Sequence, residues 1–217
     1  MKKLVLCTFG FFFMLCGTNA FAYSFGFVDA LGNDIDISES FELKVEEVTG
    51  TDSEVKFTFT NKNPEHAYIA KIFWEDTQNL LPYLFFSRED STGIPGPRGV
   101  IFDVRTPNTP PRRTKVGDEE FTTTVYATAR YVNRGATRKG IDPGESGAFI
   151  SGGNFEEVKE ALDSGDLRIV IVVRSEDGRD VYKADSTPVP EPATMLLLGA
   201  GLIGIAGLGR KKLFRKK

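Results

Sequence analysis

Alternating apolar and polar residues run through the middle of the chain and predict antiparallel β-strands. Residues 41–45 place Phe, Leu and Val at every second position, and residues 55–59 repeat the pattern with Val, Phe and Phe. Residues 49–53 between them are typical of a hairpin loop. A period of two puts one set of side chains in the core and the other in water. The same reasoning predicts strands over residues 68–74 and 121–131. The nearly continuous apolar run at 167–173 predicts a central strand covered on both faces, and residues 99–104 and 181–183 are two further short candidates.

One short helix is predicted just before the most apolar strand. Asn154 is a favourable N-cap, and Glu157 lies three residues later, as in a capping box. Gly165 is a typical C-terminal stop. One face would carry Phe155, Val158 and Leu162. Several short strands with one helix favour a mainly β fold, and we expect an antiparallel β-sandwich of two sheets.

Both ends of the chain carry apolar segments that indicate export. Lys2 and Lys3 precede an apolar run over residues 4–15, and Ala20 and Ala22 frame an A-x-A cleavage site. We therefore predict a signal helix within a signal peptide, residues 1–22, and a mature N-terminus at Tyr23. Signal peptidase and Sec-type export machinery are the partners that this segment requires.

The C-terminal apolar run predicts a single transmembrane helix. Residues 193–209 are uncharged and about 17 residues long, which is the lower limit for a hydrocarbon core of roughly 30 Å. A basic stop without any acidic residue follows. Such a stop stays in the cytoplasm, so the domain before the span should lie outside. The stop consists of Arg210, Lys211, Lys212, Arg215, Lys216 and Lys217.

Charge and cysteine content limit what the exported part can do. The whole chain carries −3, but eight Lys or Arg and no acid lie in the signal peptide and tail, which leaves −11 between them. An acidic domain is repelled by nucleic acid, so we expect no nucleic-acid partner. Cys7 and Cys16 both lie in the signal peptide. The mature chain therefore has no disulfide, thiol nucleophile or cysteine metal site.

A short motif precedes the predicted span. Pro190 and Pro192 flank Glu191 directly after Val189, and proline keeps the preceding residue extended. This motif, the minimal span and the basic terminus together resemble the PEP-CTERM protein-sorting signal of bacteria that make extracellular polysaccharide. The resemblance implies a membrane-embedded exosortase that recognises the motif and processes the tail. An ordinary tail anchor is the alternative.

These signals divide the chain into five segments. We expect a signal peptide, an exported β domain, a linker with the Pro-Glu-Pro motif, a transmembrane segment and a basic cytoplasmic tail. Their predicted bounds are 1–22, 23–185, 186–192, 193–209 and 210–217. The precursor would cross the cytoplasmic membrane once, and the mature form would reach the cell surface or the extracellular matrix.

The sequence contains few signals of catalysis or metal binding. His66 is the single histidine, and no G-x-S-x-G, P-loop or dinucleotide-binding fingerprint is present. We therefore predict no catalytic residue, no metal ligand and no cofactor. Two weaker possibilities remain open. Asp34 and Asp36 could hold calcium, and adjacent acids such as Glu75 and Asp76 could serve a hydrolase.

These observations favour an exported, non-enzymatic protein with a structural or adhesive role. The alternative is a carbohydrate- or calcium-binding module of an exopolysaccharide matrix, and an exported hydrolase is less favoured. Extracellular polysaccharide is a candidate partner, and the basic residues Arg112, Arg113 and Lys115 are either its contact or a solvated loop. Burial of Trp74, which its strand pattern predicts, would weaken the binding-module hypothesis.

Overall fold

The computed structural model describes residues 22–32, 37–51, 53–64, 67–93, 99–106, 112–116, 119–130, 140–176 and 178–189. Several predicted features lie outside these ranges: the signal peptide before Ala22, residues 190–192, the span 193–209 and the basic tail 210–217. His66, Asp34 and Asp36 lie outside them too. Within the described ranges, no helix combines the length and the apolar character needed to cross a membrane.

The described residues form twelve strands, one α-helix and a short 3-10 helix at Ser38–Ser40. The α-helix, α1, is Phe155–Ser164 and lies between the tenth and eleventh strands. The strands are β1 (Ala22–Asp29), β2 (Phe41–Glu47), β3 (Glu54–Asn61), β4 (Tyr68–Asp76), β5 (Leu84–Thr92), β6 (Phe102–Arg105), β7 (Arg112–Val116), β8 (Glu119–Thr123), β9 (Val125–Ala129), β10 (Ser146–Gly152), β11 (Leu167–Arg174) and β12 (Arg179–Val189).

Ten strands form one continuous antiparallel sheet. Their order is β5-β10-β3-β2-β1-β12-β11-β4-β9-β6, and β7 pairs separately with β8. The mainly antiparallel β class with a short helix is confirmed, but one sheet replaces the predicted sandwich of two. Because twist accumulates across many strands, a sheet of this width curls. Its edge strands β5 and β6 contact each other, with the rings of Phe86 and Phe102 at 5.9 Å.

Aromatic side chains fill the interior of the curled sheet. The ring centroid of Phe149 lies between 5.3 and 5.7 Å from each of four other rings. Trp74 is fully buried, as its strand pattern predicted. These rings come from both edges of the sheet and from strands between them, so they hold the curled sheet around one core. This aromatic cluster consists of Phe59, Trp74, Phe86, Phe102 and Phe149.

The predicted helix is confirmed as α1. The Asn154 side chain accepts hydrogen bonds from the backbone N–H groups of Glu156 and Glu157, at 2.9 and 3.2 Å. Gly165 ends the helix with φ of 84°, a left-handed conformation that glycine adopts without strain. The apolar face is buried and includes Val158 and Leu162. The helix contacts β2, β3, β11 and β12, so it covers one region of the sheet.

Replacing Leu162 with alanine should lower the free energy of unfolding by about 2–4 kcal/mol, because it removes apolar atoms from a packed site. Leu162 is only 5% exposed. Urea unfolding of the full-length chain would measure the change. Glu160→Ala, on the exposed side of the same helix, is the matched control and should cost less than about 0.5 kcal/mol. Equal losses for the two variants would mean that α1 does not dock through this face.

Candidate functional site

The first and last strands along the chain, β1 and β12, are paired near the end of the predicted signal peptide and the start of the predicted processing motif. Ala22 is the first residue of β1, and Val189 is the last residue of β12. The strands are antiparallel, with Ser24 opposite Val189 and Phe25 opposite Pro188. Ala22 of the predicted cleavage site and Val189 of the predicted exosortase motif therefore lie at the same end of this strand pair.

The final residues of β12 are held on one side only. β11 pairs with β12 as far as Lys183, whereas β1 continues to pair to Val189. Pro188 lies in this stretch, where a residue without an N–H group removes no bond to β11. The register shifts between Phe25 and Phe27, whose partners are Pro188 and Ala184. β12 thus bulges as it leaves the sheet, and it continues four residues beyond the domain end predicted at residue 185.

A cleft of about 370 Å³ opens where β11 and β12 separate. Its walls include Leu162 at the end of α1, Leu167 at the start of β11 and Ala184 of β12. The separation leaves the terminal part of β12 beside a gap and away from β11. The residues that lead into the predicted processing motif therefore have an open flank.

The structure describes only part of the predicted processing set. Ala22 is half-buried opposite Glu46 of β2, and Val189 lies opposite Ser24. Ala20 and the residues Pro190, Glu191 and Pro192 lie outside the described ranges. The same holds for the six basic residues of the predicted stop, which are Arg210, Lys211, Lys212, Arg215, Lys216 and Lys217.

The fold and this junction define a class of protein, an antiparallel β domain that runs directly into a C-terminal segment. A family model for the PEP-CTERM protein-sorting motif matches residues 188–211. The match begins within β12 and extends through the Pro-Glu-Pro residues and the apolar run. It confirms the resemblance drawn from the sequence and supports sorting through an exosortase to the cell surface, from a membrane-anchored precursor. No curated protein and no solved structure matches the chain.

The adjacent carboxylates considered for hydrolysis are engaged in structural contacts. Glu75 is buried, pairs with Arg168 and accepts a 3.0 Å hydrogen bond from the backbone N–H of Thr122. Asp76 is also buried. It accepts hydrogen bonds from the backbone N–H groups of Leu80 and Leu81, at 3.0 and 2.8 Å. Glu75 thus ties β4 to β8, and Asp76 shapes the loop that follows β4.

Two other possibilities from the sequence concern a metal site and a basic loop. Among the residues that the structure describes, no group of three or more His, Cys, Asp or Glu is placed to hold a metal ion. Arg112, Arg113 and Lys115 belong to β7, which pairs with β8, so this part of the predicted loop is a strand. Asp34 and Asp36, which were considered for calcium, lie outside the described ranges.

A second surface, formed by two exposed aromatic side chains, was not predicted from the sequence. Tyr83 and Phe85 are 47% and 46% exposed, on the face of the sheet that points away from the aromatic cluster. A hydrogen bond to Glu54 raises the pKa of the Tyr83 hydroxyl. The available signal was the run of apolar and aromatic residues at 83–86, because β5 alternation sends only some of them inward. Phe85 lines an open cleft between β5 and β6, and the Tyr83 ring stacks beside it.

Proposed function

We propose that this protein is an exported, non-enzymatic component of the cell surface or extracellular matrix with a structural or adhesive role. Exosortase processing at Val189–Pro192 would separate its β domain from the membrane span. The observation that carries the proposal is the PEP-CTERM motif at residues 188–211, which begins within the last strand of the sheet.

The short distance between the sheet and the predicted span supports processing by a membrane-embedded enzyme. Only residues 190–192 separate the last strand residue from the span predicted to begin at residue 193. The precursor would therefore hold its domain close to the outer face of the cytoplasmic membrane, next to a membrane-embedded enzyme. A cut after Val189 would leave every described strand in the separated part, so release need not disturb the fold.

The N-terminal end of the domain is also compatible with cleavage during export. Signal-peptide cleavage after Ala22 would remove a single residue from β1 and leave Tyr23 as the first. The Tyr23 ring lies 6.1 Å from that of Phe155, and the Lys159 ammonium lies 4.4 Å from the Tyr23 ring centroid. The new N-terminus would thus be held against α1. The proposed processing partners are signal peptidase, Sec-type machinery and an exosortase-type enzyme.

Replacing Pro190, Glu191 and Pro192 with alanines should block processing but leave export intact, because the span and its basic stop are unchanged. Cell fractionation with intact-mass analysis should find the variant in the cytoplasmic membrane with its tail uncut. The wild-type protein should reach the surface without that tail. N-terminal sequences should begin at Tyr23 in both, which would show that export occurred.

The matched control changes the neighbouring residues Ser186 and Thr187 to alanine and leaves Pro-Glu-Pro in place. It should be processed like the wild-type protein. If the triple-alanine variant also loses its tail and reaches the surface, the motif is not the processing signal, and the tail is an ordinary anchor.

A carbohydrate-binding module is a second candidate function, and the exposed pair Tyr83 and Phe85 favours it.

A further inference from the structure

The two edges of the curled sheet enclose an open cleft. It has a volume of about 700 Å³ and lies between β5 and β6, where the edges contact each other without strand pairing. We call it the seam cleft, and its lining includes Phe85, Arg88, Asp103, Arg105 and Arg130. It brings together residues of β5, β6 and the end of β9.

Three arginines make the seam cleft basic within an acidic domain. Arg88, Arg105 and Arg130 are exposed. In the part of the chain that the structure describes, none of their side chains makes a hydrogen bond or an ion pair. Asp103 is the acidic residue of the lining. A local excess of positive charge attracts anions, and guanidinium groups match carboxylates in a bidentate geometry.

Phe85 of the seam cleft forms an exposed aromatic pair with Tyr83, whose ring lies beside it. Their planes differ by 19°, and their ring centroids are 6.3 Å apart. The Tyr83 hydroxyl donates a 3.0 Å hydrogen bond to the Glu54 carboxylate. The Tyr83 ring also lies over Gly152, since a Cβ there would come within 2.7 Å of a ring carbon. Tyr83 is therefore fixed in place while much of it stays exposed.

We propose that the aromatic pair and the seam cleft bind an acidic polysaccharide. The C–H faces of its sugar rings pack on Tyr83 and Phe85, and its carboxylates pair with Arg88, Arg105 and Arg130. The ligand must present flat apolar faces and negative charge together, and a chain of uronic acids presents both in every unit. The choice of a polysaccharide over other polyanions rests on the proposed cell-surface location, where such chains are encountered.

Binding of polygalacturonate to the purified full-length chain in detergent tests this site. Biolayer interferometry at fixed ionic strength should detect binding to polygalacturonate and much weaker binding to uncharged dextran. The double variant Arg88→Gln, Arg105→Gln should weaken binding at least about tenfold, because two charge-assisted contacts are lost. Phe85→Ala should weaken it about three- to tenfold through lost ring packing.

Arg179→Gln is the matched control, since it removes an exposed arginine of β12 that does not line the seam cleft. Its affinity should equal that of the wild type. Thermal unfolding checks that each variant is folded, and Phe85→Leu replaces Phe85→Ala if the latter is not. Since the chain is purified, a failure to bind is separate from a failure of sorting, which cell fractionation detects.

Three results would overturn the proposal. Equal loss of binding in Arg179→Gln would indicate unspecific charge attraction. Tighter binding of single-stranded DNA than of polygalacturonate would assign the surface to nucleic acid. Self-association that Phe85→Ala abolishes, without polygalacturonate binding, would assign it to a second copy of the chain.

Discussion

Replacing Phe149 with alanine should lower the free energy of unfolding by about 3–5 kcal/mol, because it deletes a whole ring from a close-packed core. Phe149 has no exposed surface. Its ring lies at 5.3 Å from Trp74, 5.4 Å from Phe86, 5.5 Å from Phe102 and 5.7 Å from Phe59. Since Phe86 and Phe102 come from opposite edges of the sheet, the cavity would also weaken the contact that closes it.

Denaturant unfolding of the full-length chain, followed by tryptophan fluorescence, would measure this loss because Trp74 is the single tryptophan and belongs to the same cluster. Phe85→Ala provides the control, since it deletes the same side chain from the exposed face of β5. That change should cost less than about 1 kcal/mol. A loss for Phe149→Ala no greater than for Phe85→Ala would refute the central place of the aromatic cluster.

Replacing Asn61 with alanine should lower the free energy of unfolding by about 2–4 kcal/mol, because it leaves buried polar groups without partners. Asn61 has no exposed surface. Its amide donates to the carbonyls of Ala67 and Ile141, at 2.8 and 3.0 Å. Its side-chain oxygen accepts from the backbone N–H of Asn63 at 3.0 Å. One side chain therefore joins the end of β3 to two other segments.

Asn61→Asp sharpens this test because the size of the side chain is nearly unchanged. The carboxylate cannot donate to either carbonyl, and its buried charge would face two carbonyl oxygens at neutral pH. It should therefore destabilise the fold at least as much as Asn61→Ala. The neighbouring Lys62→Ala breaks a partly exposed ion pair with Glu42 and should cost about 0–1 kcal/mol. If Asn61→Asp costs no more than Lys62→Ala, the amide hydrogen bonds are not important for stability.

Burial reproduces the predicted local alternation in β2, β3 and β9, whereas β11 was predicted from a nearly continuous apolar run and is buried along most of its length. β2 and β3 match their predicted segments closely, and α1 follows from its caps. β5 and β10 were not predicted. β5 carries many charges because it is an edge strand, and β10 has glycines at both ends of its Ala-Phe-Ile-Ser run. Alternation also cannot tell one curled sheet from two stacked sheets, because either places alternate residues inside.

The two candidate sites also differ in whether the local sequence could reveal them. The processing motif is continuous in the chain, so Val189 and the following residues could be recognised from sequence alone. The seam cleft could not, because Arg88, Arg105 and Arg130 belong to different parts of the chain. They line one cleft only because β5 and β6 are the two edges of a single sheet, and that depends on pairing between distant segments.

The pairing of β1 with β12 has a mechanical consequence. A chain tethered through residues after Val189 would transmit any pulling force first to the pair of Val189 with Ser24. In this geometry strands separate bond by bond from one end, and they do not slide past each other as a block. The stretch that contains Pro188 has few bonds to resist such peeling, because β11 does not support it. In an uncut precursor that is pulled through its membrane span, the β1–β12 pair would therefore begin to separate at Val189. Cleavage of the tail would remove the point where the force is applied.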